Sequence, residues 1–305
     1  MVGCCHLFIR APFKRVPMKR LLLSALATVS VLSPLACDLE KTTNQITADH
    51  VMVGTLLATP QVDVSASALA GYDAGTYGGP DGGDVVSFPG QTAAFVFFGT
   101  KSGENAQPEG LSGATVTLRA GSAAGVPLNG QGGGSYGVTS DSTDDLKYTS
   151  GATYSFFAEQ GGTKYEARVE DSPTKEAIPA FHPAEGFVRI NANTAFAFDR
   201  PAPPPNQDRT LGFVTVVPLG ANGEKGQATY SNVPTTPVEF LQLAATPATF
   251  REARVTIPAT AFPTSKQTYL VIFQAVRMGG PESDNLFLGS VVMAGTAEVG
   301  IVRTN

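Results

Sequence analysis

Ser135 lies in Gly133-Gly134-Ser135-Tyr136-Gly137, a literal G-x-S-x-G. That pattern makes a nucleophilic serine when a strand precedes it and a helix follows, because the sharp turn lifts the hydroxyl above a parallel sheet. Here Asn129-Gly130-Gln131-Gly132 precedes it and Val138-Thr139-Ser140-Asp141 follows, so a glycine-rich turn entering a strand is expected, with no nucleophile elbow. Two acidic stretches suit other chemistry. Asp73, Asp81 and Asp84 lie in DAGTYGGPDGGD, and Asp141, Asp144 and Asp145 in SDSTDD. Calcium takes six to eight oxygens from carboxylates, carbonyls and water, and glycine lets carbonyls turn inward. Neither stretch has EF-hand spacing, and solvated turn residues are the competing reading. Beyond residue 37 the only histidines are His50 and His182. Both are expected in solvated loops, where they assemble neither a metal site nor an acid–base pair.

Cysteine offers a different use. Residues 1–36 hold Arg10, Lys14, Arg15, Lys19 and Arg20 and no acid. From Met18, a basic start leads into an apolar run from Leu21 to Leu32 and then Ser33-Pro34-Leu35-Ala36-Cys37. A basic segment, a short apolar segment and a small residue before a cut site describe a secretory signal peptide, with Met18 as the expected start. The apolar run is too short for a permanent bilayer crossing, which needs about 20 residues. Ala36-Cys37 resembles the lipobox of bacterial lipoproteins. That resemblance implies cleavage before Cys37, diacylglycerol and further acylation on it, and a membrane partner through the anchor. The competing reading is a cysteine that merely ends an apolar run. Cys4 and Cys5 fall inside the signal, so Cys37 has no intrachain disulfide partner after cleavage. Residues 38–50, DLEKTTNQITADH, are expected to be a polar tether. The protein is thus expected in the cell envelope, at the outer membrane or cell surface rather than the periplasmic face of the inner membrane.

Composition bounds the rest. The chain has 305 residues, 15% of them charged, with 33 Gly and 22 Pro, which disfavours helical bundles. Cleavage removes five basic residues and no acidic ones, taking the net charge from −5 to −10. Nucleic acid is excluded as a partner on that ground, since its binding needs a positive field.

The elements that must hold any site are short strands. Thr153 to Gln160, Gly161-Gly162 and Thr163 to Glu170 form a hairpin pattern, with Tyr165, Ala167 and Val169 alternating against charged residues. Strands are predicted at 51–57, 92–98, 114–119 and 135–139, then at 187–190, 194–198, 211–217, 227–230, 253–257, 268–276, 290–293 and 296–302. Alternation assigns Phe95, Phe97, Tyr154, Phe156, Phe196, Phe198 and Phe273 to buried faces. Thr236-Pro237-Val238-Glu239 reads as a capping box opening a short helix. Pro173, Pro179 and Pro183 interrupt residues 171–186, placing a boundary near 180. The fold class is all-β: two antiparallel β-sandwich domains, 51–180 and 181–305, with one short helix in the second. Residues 95–180, around GATVTL at 113–118 and YTSGATY at 148–154, resemble the immunoglobulin-like and carboxypeptidase-regulatory-like sandwiches of bacterial surface lipoproteins. They lack the Trp and disulfide of antibody domains. Such a fold carries no activity by itself.

The function expected is a non-enzymatic, lipid-anchored binding, adhesion or scaffold module for a surface protein or polysaccharide. Its partners would meet loops 71–90 and 120–137. No catalytic residue is assigned, and no cofactor beyond structural calcium at the acidic loops. The alternatives are an extracellular carboxylate-based hydrolase or its accessory domain, and a calcium-dependent adhesin. Arg200-Pro201-Ala202-Pro203-Pro204-Pro205 is expected to form a stiff polyproline loop between strands.

Overall fold

Contiguous apolar runs such as Tyr269-Leu270-Val271-Ile272-Phe273 and Val291-Val292-Met293-Ala294 mark strands covered on both faces, unlike the alternating hairpin at 154–169. The computed structural model describes residues 33–69, 85–102, 107–221 and 223–305. Helix α1 spans Ser33–Thr47. The first strands are β1 (His50–Thr59), β2 (Val62–Ser65), β3 (Val85–Phe88), β4 (Gln91–Thr100), β5 (Glu109–Gly110), β6 (Thr115–Ala120), β7 (Val126–Gly132), β8 (Ser135–Thr139), β9 (Tyr154–Gln160) and β10 (Thr163–Val169). Then come β11 (Val188–Ile190), β12 (Phe196–Asp199), β13 (Leu211–Leu219), β14 (Tyr230–Ser231), helix α2 (Pro237–Ala245), β15 (Arg254–Ile257), β16 (Thr268–Pro281) and β17 (Val291–Thr304). The protein is mostly β.

Strand pairing in the first region closes on itself. β1 pairs with β4, β4 with β8, β8 with β7, β7 with β6, β6 with β9, β9 with β10, β10 with β16, β16 with β17, and β17 in parallel with β1. Inside this ring lie Met52, Val96, Phe98, Tyr154, Phe156, Tyr165 and Val292. β7 turns the corner between its two partners at a bulge between Gly130 and Gly132. The β9–β10 turn places Gly161 at φ 57° and Gly162 at φ 80°, the left-handed pair that a two-residue hairpin requires. At the other seam β10 meets β16 only through Ala167↔Pro281 and Arg168↔Gly280.

The second region is built on the far halves of the same two long strands. β13 pairs with β16, and β11 with the end of β17. The β12–β15 ribbon packs across them, with Phe196, Phe198 and Ile257 against Val214, Val271 and Phe273. The opposite face is covered by α2 through Phe240 and Leu243, and by β2–β3 with Leu69 and Phe187. Hence β16 and β17 are buried on both sides, which explains their continuous apolar runs.

This arrangement corrects the two-sandwich expectation. Residues 45–305 form one compact unit, to which residues 33–44 do not belong. The boundary near 180 is absent because the 14-residue strands β16 and β17 run through both halves. The predicted runs at 290–293 and 296–302 are one strand; Gly295, where a Cβ would stand 2.3 Å from the Ala275 carbonyl oxygen, keeps it paired closely with β16.

Two local expectations also change. The tether is helical, since residues 33–47 carry Pro34 at the start and Leu39, Glu40, Lys41 and Gln45 within, all compatible with helix. Gln45 is buried; its amide donates to the carbonyls of Pro281 and Ser283 at 3.2 Å each. Phe95 is exposed, because β4 turns Ala94, Val96 and Phe98 into the ring core, and Phe97 packs on the outer face with Phe240. Phe97, Tyr154, Phe156, Phe196, Phe198 and Phe273 are buried as predicted.

Candidate functional site

Residues 171–183, within the 171–186 stretch where a boundary near 180 is expected, are a strap across the second region, and its three prolines withhold N–H groups from any ladder. Its charged side chains are held by buried partners. Glu176 meets Arg200, whose side chain is 0% exposed: Arg200 Nε donates to Oε2 at 3.0 Å and Nη2 to Oε1 at 2.8 Å. Nη2 also donates to the Thr210 carbonyl at 3.0 Å and hydroxyl at 2.6 Å, and Nη1 to the carbonyls of Phe250 and Glu252 at 3.4 Å. The guanidinium lies 5.0 Å over the Phe273 ring. With this many partners the ion pair meets the condition for burial, which is near-complete hydrogen bonding of both charges.

The strap has a second anchor at Glu298, on β17 and 3% exposed. Lys175 Nζ lies 2.6 Å from its Oε2, close enough to pair though not aligned as a hydrogen bond, and His182 Nε2 bonds to Oε1. His182 is an exposed loop residue, as expected, with its ring engaged by Glu298.

Between the strap and the proline run 201–204 opens a cleft of about 410 Å³. Pro173, Ala177, Pro201 and Pro203 form an apolar lining, while Asp171, Lys175, Glu176, Asp208 and Arg277 bring charge to its walls. The carboxylates have guanidinium partners: Asp171 with Arg277 at 3.5 Å, Asp208 with Arg251 at 2.7 Å, and Glu176 with Arg200. Rigid proline walls and fixed charges suit recognition by shape and polarity. Glu176, Lys175 and Glu298 were not singled out by sequence reasoning, and Arg200 only as the start of the proline run. Glu298 alone carried a signal there, as a carboxylate inside an otherwise apolar strand.

The residues with predicted chemistry lie apart. Ser135 opens β8 after Gly132, Gly133 and Gly134, all at positive φ, so the G-x-S-x-G is a hairpin turn entering a strand. Asp141, Asp144 and Asp145 are exposed in the turn after β8; Gln91 Nε2 bonds to Asp141, and the Asp145 N–H donates to the Thr143 hydroxyl at 3.3 Å. Among the described residues no three His, Cys, Asp or Glu side chains form a metal-holding group. Asp73, Asp81 and Asp84 lie outside the described residues, as does most of the loop 71–90. Cys37 falls within α1, and its side chain is likewise outside what is described. Among the described residues no helix is long and apolar enough to cross a membrane.

His50 does not lie in the solvated loop expected of it. It stands on β1 with Nδ1 2.6 Å from Asp49 Oδ1 and Nε2 3.1 Å from the Tyr165 hydroxyl, its ring stacked on Tyr165 at 4.5 Å. Burial, with Asp49 adding to it, pushes the Tyr165 phenol up from its ordinary value. The described cavities do not include these three residues, so they read as a capped end of the ring core.

No protein-family model matches the chain, and no curated protein matches it. Among solved structures, a chimeric titin Z1Z2–Z1Z2 tandem aligns over 70% of this chain and 91% of its own, at 11% identity and a TM-score of 0.18. Three N-terminal domains of the bacteriophage RB49 highly immunogenic outer capsid protein align over 84% and 70%, at 8% identity and a TM-score of 0.23. Scores this low carry no argument about fold or function.

Proposed function

We propose that the chain is a lipid-anchored cell-envelope protein whose folded part is a non-enzymatic binding, adhesion or scaffold module for a surface protein or polysaccharide. The observation that carries this reading is the cleft between the strap and the proline run. Its walls are pinned by the buried Arg200–Glu176 pair, and its carboxylates are already held by arginines. That is a preorganised recognition surface, whereas a glycosidase needs an acid and a base free to flank the scissile bond. The anchor rests on the basic and apolar segments before Ala36-Cys37.

Two measurements test the two halves of the proposal. Fractionation of cells expressing the full chain should find it in the membrane pellet, and the Cys37→Ser form released; a variant that stays in the pellet overturns the anchor. Arrays of envelope polysaccharides and surface-protein fragments, probed with the full chain and with Arg277→Ala, should give ligands that the variant loses. Ligands retained equally by Arg277→Ala, or turnover of a glycan on the array, overturn the binding reading at the cleft.

A further inference from the structure

β15 is hydrogen-bonded on one side only. Its register with β12 pairs Asp199 with Arg254, Phe198 with Val255 and Ala197 with Thr256. One step further, the Arg200 N–H donates to the Ala253 carbonyl at 2.8 Å, so 200 and 253 form a hydrogen-bonded pair. Such pairs alternate along an antiparallel ladder. Val255 and Ile257 therefore turn their backbone groups toward β12, and Arg254 and Thr256 turn theirs to the outer edge. Among the described residues, the N–H and C=O groups of Arg254 and Thr256 have no hydrogen-bond partner.

The same logic exposes the facing wall. The Asn232 N–H donates to the Val214 carbonyl at 3.2 Å, and its side-chain Oδ1 accepts from the Val214 N–H at 2.6 Å. Asn232 thus ends the cover that β14 gives β13. Two residues earlier and in the same phase, Gly212 presents its N–H and C=O beyond that end. Gly212 and Asn232 line one side of a groove of about 200 Å³, and Arg254, Val255 and Thr256 line the other. Phe250 and Asn232 continue it into a second groove of about 330 Å³ beside α2.

We propose that this groove is a docking site for an extended peptide segment of a partner protein, which adds to the outer edge of β15 as a strand. Unpaired N–H and C=O groups at strand spacing are matched by another polypeptide backbone, the chemistry of β-augmentation. Charged side chains ordinarily guard an edge. Arg254, however, already has its charge met by Asp199, with Nη1 at 3.0 and 3.1 Å from the two carboxylate oxygens. The exposed face of the ribbon therefore runs acid then base, and an acidic residue on the incoming strand opposite Arg254 continues the alternation. On the inner face the incoming side chain meets Val255 and Phe250. The site is separate from the strap cleft and stands without it.

The test is selection of short random peptides from a displayed library on the full chain, with a Thr256→Pro chain as the comparison. Proline removes only the outward N–H at 256, which β12 does not use, and edge strands tolerate it. Selected peptides should bind saturably, carry an acidic residue at one position, and weaken about tenfold on Thr256→Pro, the loss of one hydrogen bond. In the wild-type chain, bound peptide should slow hydrogen exchange at the amides of Arg254 and Thr256 and leave Val255 unchanged. This second readout holds even if the proline variant fails to fold. The proposal is overturned if no peptide is recovered, if binding leaves exchange at 254 and 256 unaltered, or if a folded Thr256→Pro chain binds equally well. Concentration-dependent dimers that protect the same two amides overturn it in favour of a second copy of this chain.

Discussion

The two regions solve the problem of sheet edges in opposite ways. The first joins its strands into a ring, so its backbone groups are spent on one another around an apolar and tyrosine core. The second lies on both faces of β16 and β17, leaves the outer edge of β15 open, and fastens its strap with buried ion pairs. Closure leaves little for a partner to grip; open edges and pinned straps leave a cleft and a groove. The cleft and the grooves among the described residues accordingly lie mainly in the second region, although both regions share the same two long strands.

Breaking the charge anchoring should cost most. Glu176→Ala leaves the fully buried Arg200 without its counter-charge, a change worth about 3–5 kcal/mol, read as a fall in denaturant midpoint. A loss below about 1 kcal/mol would mean that the ion pair is not what holds the strap. Next comes the ring seam. A Cβ on Gly279 would stand 1.8 Å from the Arg168 carbonyl oxygen, whereas one on Gly280 meets nothing nearer than 3.9 Å. Gly279→Ala should cost roughly 1–3 kcal/mol or more by overpacking, and Gly280→Ala far less, in the same denaturation experiment.

Alkali should separate the regions. Burial pushes the phenols of Tyr148, Tyr154 and Tyr165 up, and all three belong to the ring region. The folded chain keeps these protons above about pH 10, where the unfolded chain has lost them, so stability falls as pH rises past that value. Hydrogen exchange at rising pH should show β9 and β10 opening before β13; the reverse order would contradict the assignment. Smaller still is Thr236→Ala, which removes the hydroxyl that accepts the Glu239 N–H and should cost about 1 kcal/mol, read by thermal melting. Smallest is acid at the same cap. Hydrogen bonds from the N–H groups of Thr235 and Thr236 and the Thr235 hydroxyl hold the Glu239 carboxyl below its ordinary value. Their contribution is complete above that ordinary value and lost as pH falls through the lowered one. Amide exchange at the start of α2 should quicken there, and a Glu239→Gln chain should show no such step.

Much of the local structure was legible in the residues. The 154–169 hairpin, its Gly161-Gly162 turn and the Thr236 capping box were written in side-chain alternation and turn chemistry, and each is present. The G-x-S-x-G read correctly as a turn because its neighbours specify one. Other features were illegible for a definite reason. Residues 171–183 have no periodicity, so nothing local distinguishes a linker from a strap pinned 24 residues away by Arg200. His50 stands where a polar stretch meets the apolar run Val51-Met52-Val53, and its aromatic partners Phe98 and Tyr165 arrive from other strands.

The sequence by itself determined that this is a strand-rich chain with turns set by Gly and Pro. Those features depend on neighbours along the chain, where φ preferences and alternation act. Only the tertiary structure decided that two apparent domains share β16 and β17, that Glu176 and Arg200 close a cleft, and that β15 keeps an open edge. Strand pairing and ion pairing join residues of any separation, and their energies are settled by burial, which no local pattern encodes.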